Sequence, residues 1–119
     1  MSSKALIVLG KSPVIEKVES REGGVISGDP ITNAWKYFDH PSGNMKAGIW
    51  DCQAGKWEIE SHPNNELCVI IEGEVAIMDE TGASFVFKPG DAFMLSEGMK
   101  TQWTVKEYVK KIFMVVNGL

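Results

Sequence analysis

GKWEIESHPNNELCVIIEGEVAIMDETGASFVFKPGDAFMLSEGMKTQW, residues 55–103, is the stretch that decides the fold. Its apolar residues fall in short alternating runs. Turn-formers separate them: Pro63-Asn64-Asn65, Glu72-Gly73-Glu74, Glu80-Thr81-Gly82, Lys88-Pro89-Gly90-Asp91 and Glu97-Gly98. Alternation of period two marks strands with one buried face, and no long helical period competes with it. Working outward, strands are predicted over 45–51, 57–62, 67–72, 74–79, 84–87, 92–95, 101–105 and 110–116, with Ala54-Gly55 turning the chain between the first two. Many short strands at this spacing predict an all-β sandwich or barrel.

Upstream, residues 5–9 are expected to form a first strand and 14–18 another, with turn-rich loops at 20–24 and 27–30. Trp35, Tyr37 and Phe38 favour an extended segment over 31–38, and His40-Pro41-Ser42-Gly43-Asn44 is a turn. Residues 1–40 are therefore expected to form an N-terminal arm with outer strands on a barrel of 45–116, the whole 1–119 being one domain. The core is expected to take the pairs Phe85/Phe87 and Phe93/Leu95.

With 119 residues, 44% of them apolar, the chain has enough hydrocarbon for a core. The net charge of −4, without any basic run, argues against a nucleic-acid partner. No apolar run reaches the roughly 18–20 residues needed to span a bilayer, so no membrane partner is expected. Gly10-Lys11-Ser12-Pro13 follows the short N-terminal apolar run where a secretory signal would need small residues. Cys52 and Cys68 are accordingly read as buried reduced thiols of a cytoplasmic protein.

Glu58, Glu60 and His62 recur at every second position and, in a strand, share one face. Two readings stand: a polar pocket on the barrel's inner face, or solvated glutamates with His62 as a turn residue beside Pro63. Facing inward, they would turn Trp57 and Ile59 outward, and a second copy of the chain would cover those apolar groups as a homodimer. Asp91 is read as a turn-forming Asx residue, and His40 as a loop residue. No nucleophile–base motif surrounds Ser61 or Cys52, and no glycine loop has the strand–glycine–helix context for phosphate.

These residues resemble the cupins, small jelly-roll barrels defined by the motifs G-x5-H-x-H-x3,4-E-x6-G and G-x5-P-x-G-x2-H-x3-N. Glu66 and Gly73 fit the end of the first, which places its two histidines on Glu60 and His62. The second runs from Gly90 to Gly98, with Ser96 at the proline, Thr101 at the histidine and Val105 at the asparagine. Gly48-Ile49-Trp50-Asp51-Cys52, Gly55-Lys56-Trp57, Asn65-Glu66-Leu67-Cys68, Ile71-Glu72-Gly73-Glu74-Val75, Gly90-Asp91-Ala92-Phe93, Thr101-Gln102-Trp103 and Lys111 are similar to the ureidoglycine-aminohydrolase-like and ethanolamine-utilisation-like subgroup.

The resemblance implies a double-stranded β-helix, the jelly-roll cupin barrel, with an extended N-terminal arm. It also implies a divalent metal (manganese, iron, nickel or zinc) as candidate cofactor, held by His62, Glu60 and Glu66. Gln102 is a candidate fourth ligand only if a bulge turns it inward, since alternation sets it opposite Thr101 and Trp103. Glu60, His62 and Glu66 are then the candidate catalytic residues, and Trp103, Thr101 and Glu58 the pocket around a small-molecule ligand. Two functions follow from different classes. One is a metal-assisted hydrolase or related enzyme acting on a nitrogen-rich or carboxylated metabolite, in which His62, Glu60 and Glu66 either bind the ion or act as acid and base without metal. The other is a non-catalytic small-molecule-binding cupin without bound metal.

Overall fold

The computed structural model describes residues 4–119, and all of their regular structure is strand. The nine strands are β1 (Glu16–Arg21), β2 (Val25–Gly28), β3 (Ile31–Asp39), β4 (Met45–Ile59), β5 (Asn65–Gly73), β6 (Val75–Asp79), β7 (Ser84–Phe87), β8 (Ala92–Leu95) and β9 (Thr101–Val116). Antiparallel pairing runs β1-β3-β4-β9-β5-β8, with β2 added on β4, and β6 joining β9 to β7. No helix among the described residues is long and apolar enough to cross a membrane.

Two long strands do the curling. The strands expected at 45–51 and 57–62 are one element, β4, and those at 101–105 and 110–116 are one element, β9. Ala54-Gly55 does not reverse the chain. The register against β9 shifts there, from Gln53↔Tyr108 to Gly55↔Val105. A bulge bends a strand without ending it, so β9 pairs with β6 through Trp103 and Thr104 and with β5 from Val109 onward. Pro30 packs on Gly55, where a side chain would meet the proline ring.

The arm departs from expectation at its start. Residues 5–9 form no strand: Lys11 and Ser12 donate back to the Val8 carbonyl, and Ser12 Oγ accepts from the Val8 amide. That turn leaves the segment without a partner strand, and Leu6 stays exposed. The strand expected at 14–18 starts at Glu16, and residues 25–28, expected to lie partly in loop, pair with β4 as β2.

The core joins Cys52, Trp57, Cys68, Ile70, Val75, Ile77, Leu95, Trp103, Val105 and Val109. Phe87 and Phe93 pack against it, stacked at 4.2 Å, but Phe85 is exposed, because β7 is an edge strand paired only with β6. Trp57 is 1% exposed. The parity expected for β4 is therefore reversed, and with it goes the ground on which a homodimer was expected: Trp57 and Ile59 face the barrel interior.

Candidate functional site

The floor of the barrel cavity is built where β4, β9 and β5 lie side by side. Trp50 pairs with Lys111 across β4 and β9, and Ile70 pairs with Lys111 across β5 and β9. On β9 the odd-numbered residues Lys111, Phe113 and Val115 face the cavity, as do Lys46 and Trp50 on β4. Gly48, between these two, has no side chain because a Cβ would run into the Trp35 carbonyl and lie 3.0 Å from the Phe113 ring. The cavity holds about 410 Å³, within the roughly 300–1,000 Å³ typical of small-molecule sites. Three indoles line it: Trp57 stacks on Trp103 at 5.6 Å, and Trp50 meets Trp103 edge-on at 5.9 Å.

At the floor sits a buried polar cluster. Lys111 Nζ donates to Glu66 Oε2 at 2.7 Å and to Cys68 Sγ at 3.4 Å, and it lies 4.5 Å from the Trp50 ring and 5.0 Å from the Trp103 ring. Cys68 Sγ–H donates to Glu66 Oε2 at 3.1 Å. His62 Nε2 lies 3.2 Å from Glu66 Oε1, so the tautomer with its proton on Nε2 donates to the carboxylate. His62 Nδ1, Trp57 Nε1 and Asn117 Oδ1 are buried without a protein partner, and all three belong to residues of this one cavity wall.

Electrostatics fixes the protonation of the cluster. Burial alone pushes the Glu66 carboxyl up, but the Lys111 charge and the hydrogen bonds from His62, Lys111 and Cys68 outweigh it and hold the group down at about 2. Burial pulls the Lys111 ammonium down, yet the Glu66 charge beside it prevails and keeps it above its ordinary value. Burial pushes the Cys68 thiol up to about 12, so it is a neutral donor and not a thiolate nucleophile. Cys52, also buried and free, is likewise pushed up to about 12 by burial.

His62 and Glu66 are thus brought together, with Trp103 above them, but Glu60 and Glu58 are not. β4 ends at Ile59, and residues 60–62 leave the strand, so the period-two reading was carried past the strand's end. His62 enters from a loop latched on the neighbouring turn: its amide donates to the Met99 carbonyl and its carbonyl accepts from Gly98, both at 2.8 Å. Glu58 and Glu60 point to the outer surface, where Lys100 lies 3.5 and 3.7 Å from them. Thr101 is buried as expected, but its Oγ1 accepts from Trp103 Nε1 at 2.9 Å, and it lines a second depression with Glu58 and Gln102, not the cavity. Asp91 does form a turn, accepting from the Lys88 amide at 2.8 Å. Outside the barrel, Glu60→Ala should change unfolding free energy in urea by less than about 0.5 kcal/mol; a loss above about 2 kcal/mol would place that carboxylate inside.

The residues present do not fit a divalent metal. With Glu60 outside and Gln102 on the outer face, His62 and Glu66 are what is left of the expected set. No group of three or more His, Cys, Asp or Glu among the described residues could hold an ion. The Lys111 ammonium sits on the one carboxylate that remains of the expected set. Lys111 was legible in sequence only as part of a family pattern. Trp50 was legible in the same way, whereas Glu22 and Asn117 carried no signal at all, since each reaches the cavity from a separate element.

Residues 39–113 match the family described as EutQ-like cupin domain. No curated protein matches the chain. Among solved structures the chain is similar to a DUF861-family protein of unknown function from Pseudomonas syringae pv. tomato. That likeness has 26% identity and a TM-score of 0.70, over 89% of this chain and 45% of that one, so the chain spans less than half of that protein. It is also similar to the Clostridium difficile EutQ protein, at 17% identity and TM-score 0.64 over 73% of this chain and 68% of that one. A third likeness is to FeII HppE, at 13% identity and TM-score 0.66 over 92% of this chain and 60% of that one. The last two identities speak to the fold alone.

Proposed function

Because this chain belongs to the EutQ-like cupin family, we propose that its barrel cavity binds a small molecule, and that a lysine ammonium balanced by Glu66 serves there as a hydrogen-bond donor where a metal would stand. The observation that carries the proposal is the buried Lys111 Nζ, 2.7 Å from Glu66 Oε2 at the cavity floor. Metal-assisted hydrolysis would need a ligand set that Glu60 has left and that Lys111 interrupts. Covalent catalysis has no candidate either: Lys111 is held charged, and Cys68 is held as a thiol. The cavity suits recognition, with indoles for an apolar ring and the remaining N–H of Lys111 for an acceptor oxygen.

Calorimetric titration with benzamide, a neutral ring amide, tests this. Binding should be the same with EDTA as with added Mn²⁺ or Zn²⁺, and Ala34→Phe, which fills the cavity from β3, should abolish it. Binding that requires the metal, or that survives the filled cavity, would overturn the reading.

A further inference from the structure

Two charged side chains line the same cavity without an ion pair among the described residues. Glu22 follows β1, on the connection to β2, where its amide donates to the Pro30 carbonyl at 3.3 Å. Its half-buried carboxylate reaches the cavity wall. Among the described residues that carboxylate has no ion pair and no side-chain hydrogen bond, and the neighbouring Arg21 is committed to Asp29 at 2.9 Å. Burial pushes the Glu22 carboxyl up, and the Lys111 charge at the cavity floor pulls it down by less. Lys46, inward on β4 four residues before Trp50, is partly buried and likewise has no ion pair among the described residues. The two do not bond to each other. Elsewhere the lysines and arginines with carboxylates in reach do pair: Lys36 with Asp39 and Lys100 with Glu58.

The Lys111–Glu66 pair at the floor is neutral as a unit and does not select ligand charge. That selection falls to Glu22 and Lys46, with the indoles of Trp50 and Trp57 lining the same cavity. An indole wall beside a lone carboxylate favours a cationic nitrogen, and a lone ammonium favours a carboxylate. We propose that the cavity takes a small zwitterion of amino-acid type, its cationic nitrogen at Glu22 and its carboxylate at Lys46. The proposal rests on the reading of the barrel as a small-molecule site and names the ligand class.

The test uses the full chain and three matched probes: L-phenylalanine, phenethylamine, which lacks the carboxylate, and 3-phenylpropanoate, which lacks the amine. In calorimetric titrations at neutral pH the chain should bind L-phenylalanine about tenfold or more tighter than either half-molecule, a difference of about 1.4 kcal/mol. Glu22→Gln should erase the preference over 3-phenylpropanoate, and Lys46→Gln the preference over phenethylamine. Neither side chain holds a structural contact, so both variants should keep the parent unfolding midpoint; Glu22→Asp and Lys46→Arg, which keep the charge, should restore the preference in part. Half-molecules binding as well as the zwitterion, or a preference that survives both Gln variants, would overturn the inference. So would binding of benzamide with no binding of L-phenylalanine, an outcome that leaves the small-molecule site standing. Failure of benzamide as well would sink both.

Discussion

Lys111→Met should cost about 3–5 kcal/mol of unfolding free energy at neutral pH, read from urea unfolding. The loss is not the worth of a salt bridge. Methionine fills much of the lysine's volume, but it leaves the Glu66 carboxylate buried with only His62 and Cys68 to solvate it. In the parent chain Glu66 titrates at about 2, below the ordinary 4.5. The stability it contributes is therefore fully present above pH 4.5 and is lost as the pH falls toward 2. Without the Lys111 charge, burial should outweigh the hydrogen bonds from His62 and Cys68 and push the carboxyl up, so the expected sign reverses. The variant should gain stability on acidification from pH 7 toward 5, where the parent stays flat in this term. Adding Glu66→Gln to Lys111→Met should restore most of the loss at pH 7, since a neutral amide needs no countercharge. A single variant within about 1 kcal/mol of the parent would show that the pair is solvated and the cavity floor wrongly described.

The barrel was legible because its signals are local. Gly73, Gly90 and Gly98 all take positive φ at turns, where the sequence places them. Strand positions followed from alternation, and Glu66, His62 and Trp103 were found through spacing against a family motif. What alternation cannot carry is parity across an irregularity. The bulge at Gln53/Gly55 lets Trp50, Cys52, Trp57 and Ile59 all face inward, although the first two are even-numbered and the last two odd. Read in phase with His62, beyond the strand's end, the same residues came out reversed. Ala54-Gly55 looks alike in sequence whether it turns the chain or only bends it, and only the partner strand β9, about 50 residues later, decides which.

The motif failed for metal on related grounds. It scores the positions of histidines but not what stands opposite. Lys111 lies 45 residues beyond Glu66 and reaches it only because β9 is hydrogen-bonded to β5. A lysine on an inward strand position, in a chain whose histidine positions hold Glu60 and Thr101, is the signal in the sequence that speaks against a metal. An ammonium there satisfies the carboxylate without any other ligand, so the positions that would complete a metal set are free to take other residues.

Trp103→Ala should be the most damaging single truncation in the barrel, at about 5 kcal/mol, the upper end for deleting a buried aromatic. Trp103 is 2% exposed. It stacks on Trp57, meets Trp50 edge-on, meets Phe93 edge-on at 6.1 Å and lies 5.0 Å from the Lys111 ammonium. Deleting it opens a void shared by core and cavity, and it removes one of the two indole faces that help hold the buried ammonium. Its Nε1–H would also be withdrawn from Thr101 Oγ1. Trp103→Phe separates these effects. It keeps a ring against Trp57 and Lys111 but leaves the Thr101 hydroxyl without its donor, so it should cost less, about 1–3 kcal/mol. The ordering carries the argument: if alanine and phenylalanine cost the same, the indole is held by its hydrogen bond to Thr101 and not by the stack. The cavity would then lack the aromatic wall on which its proposed ligand depends.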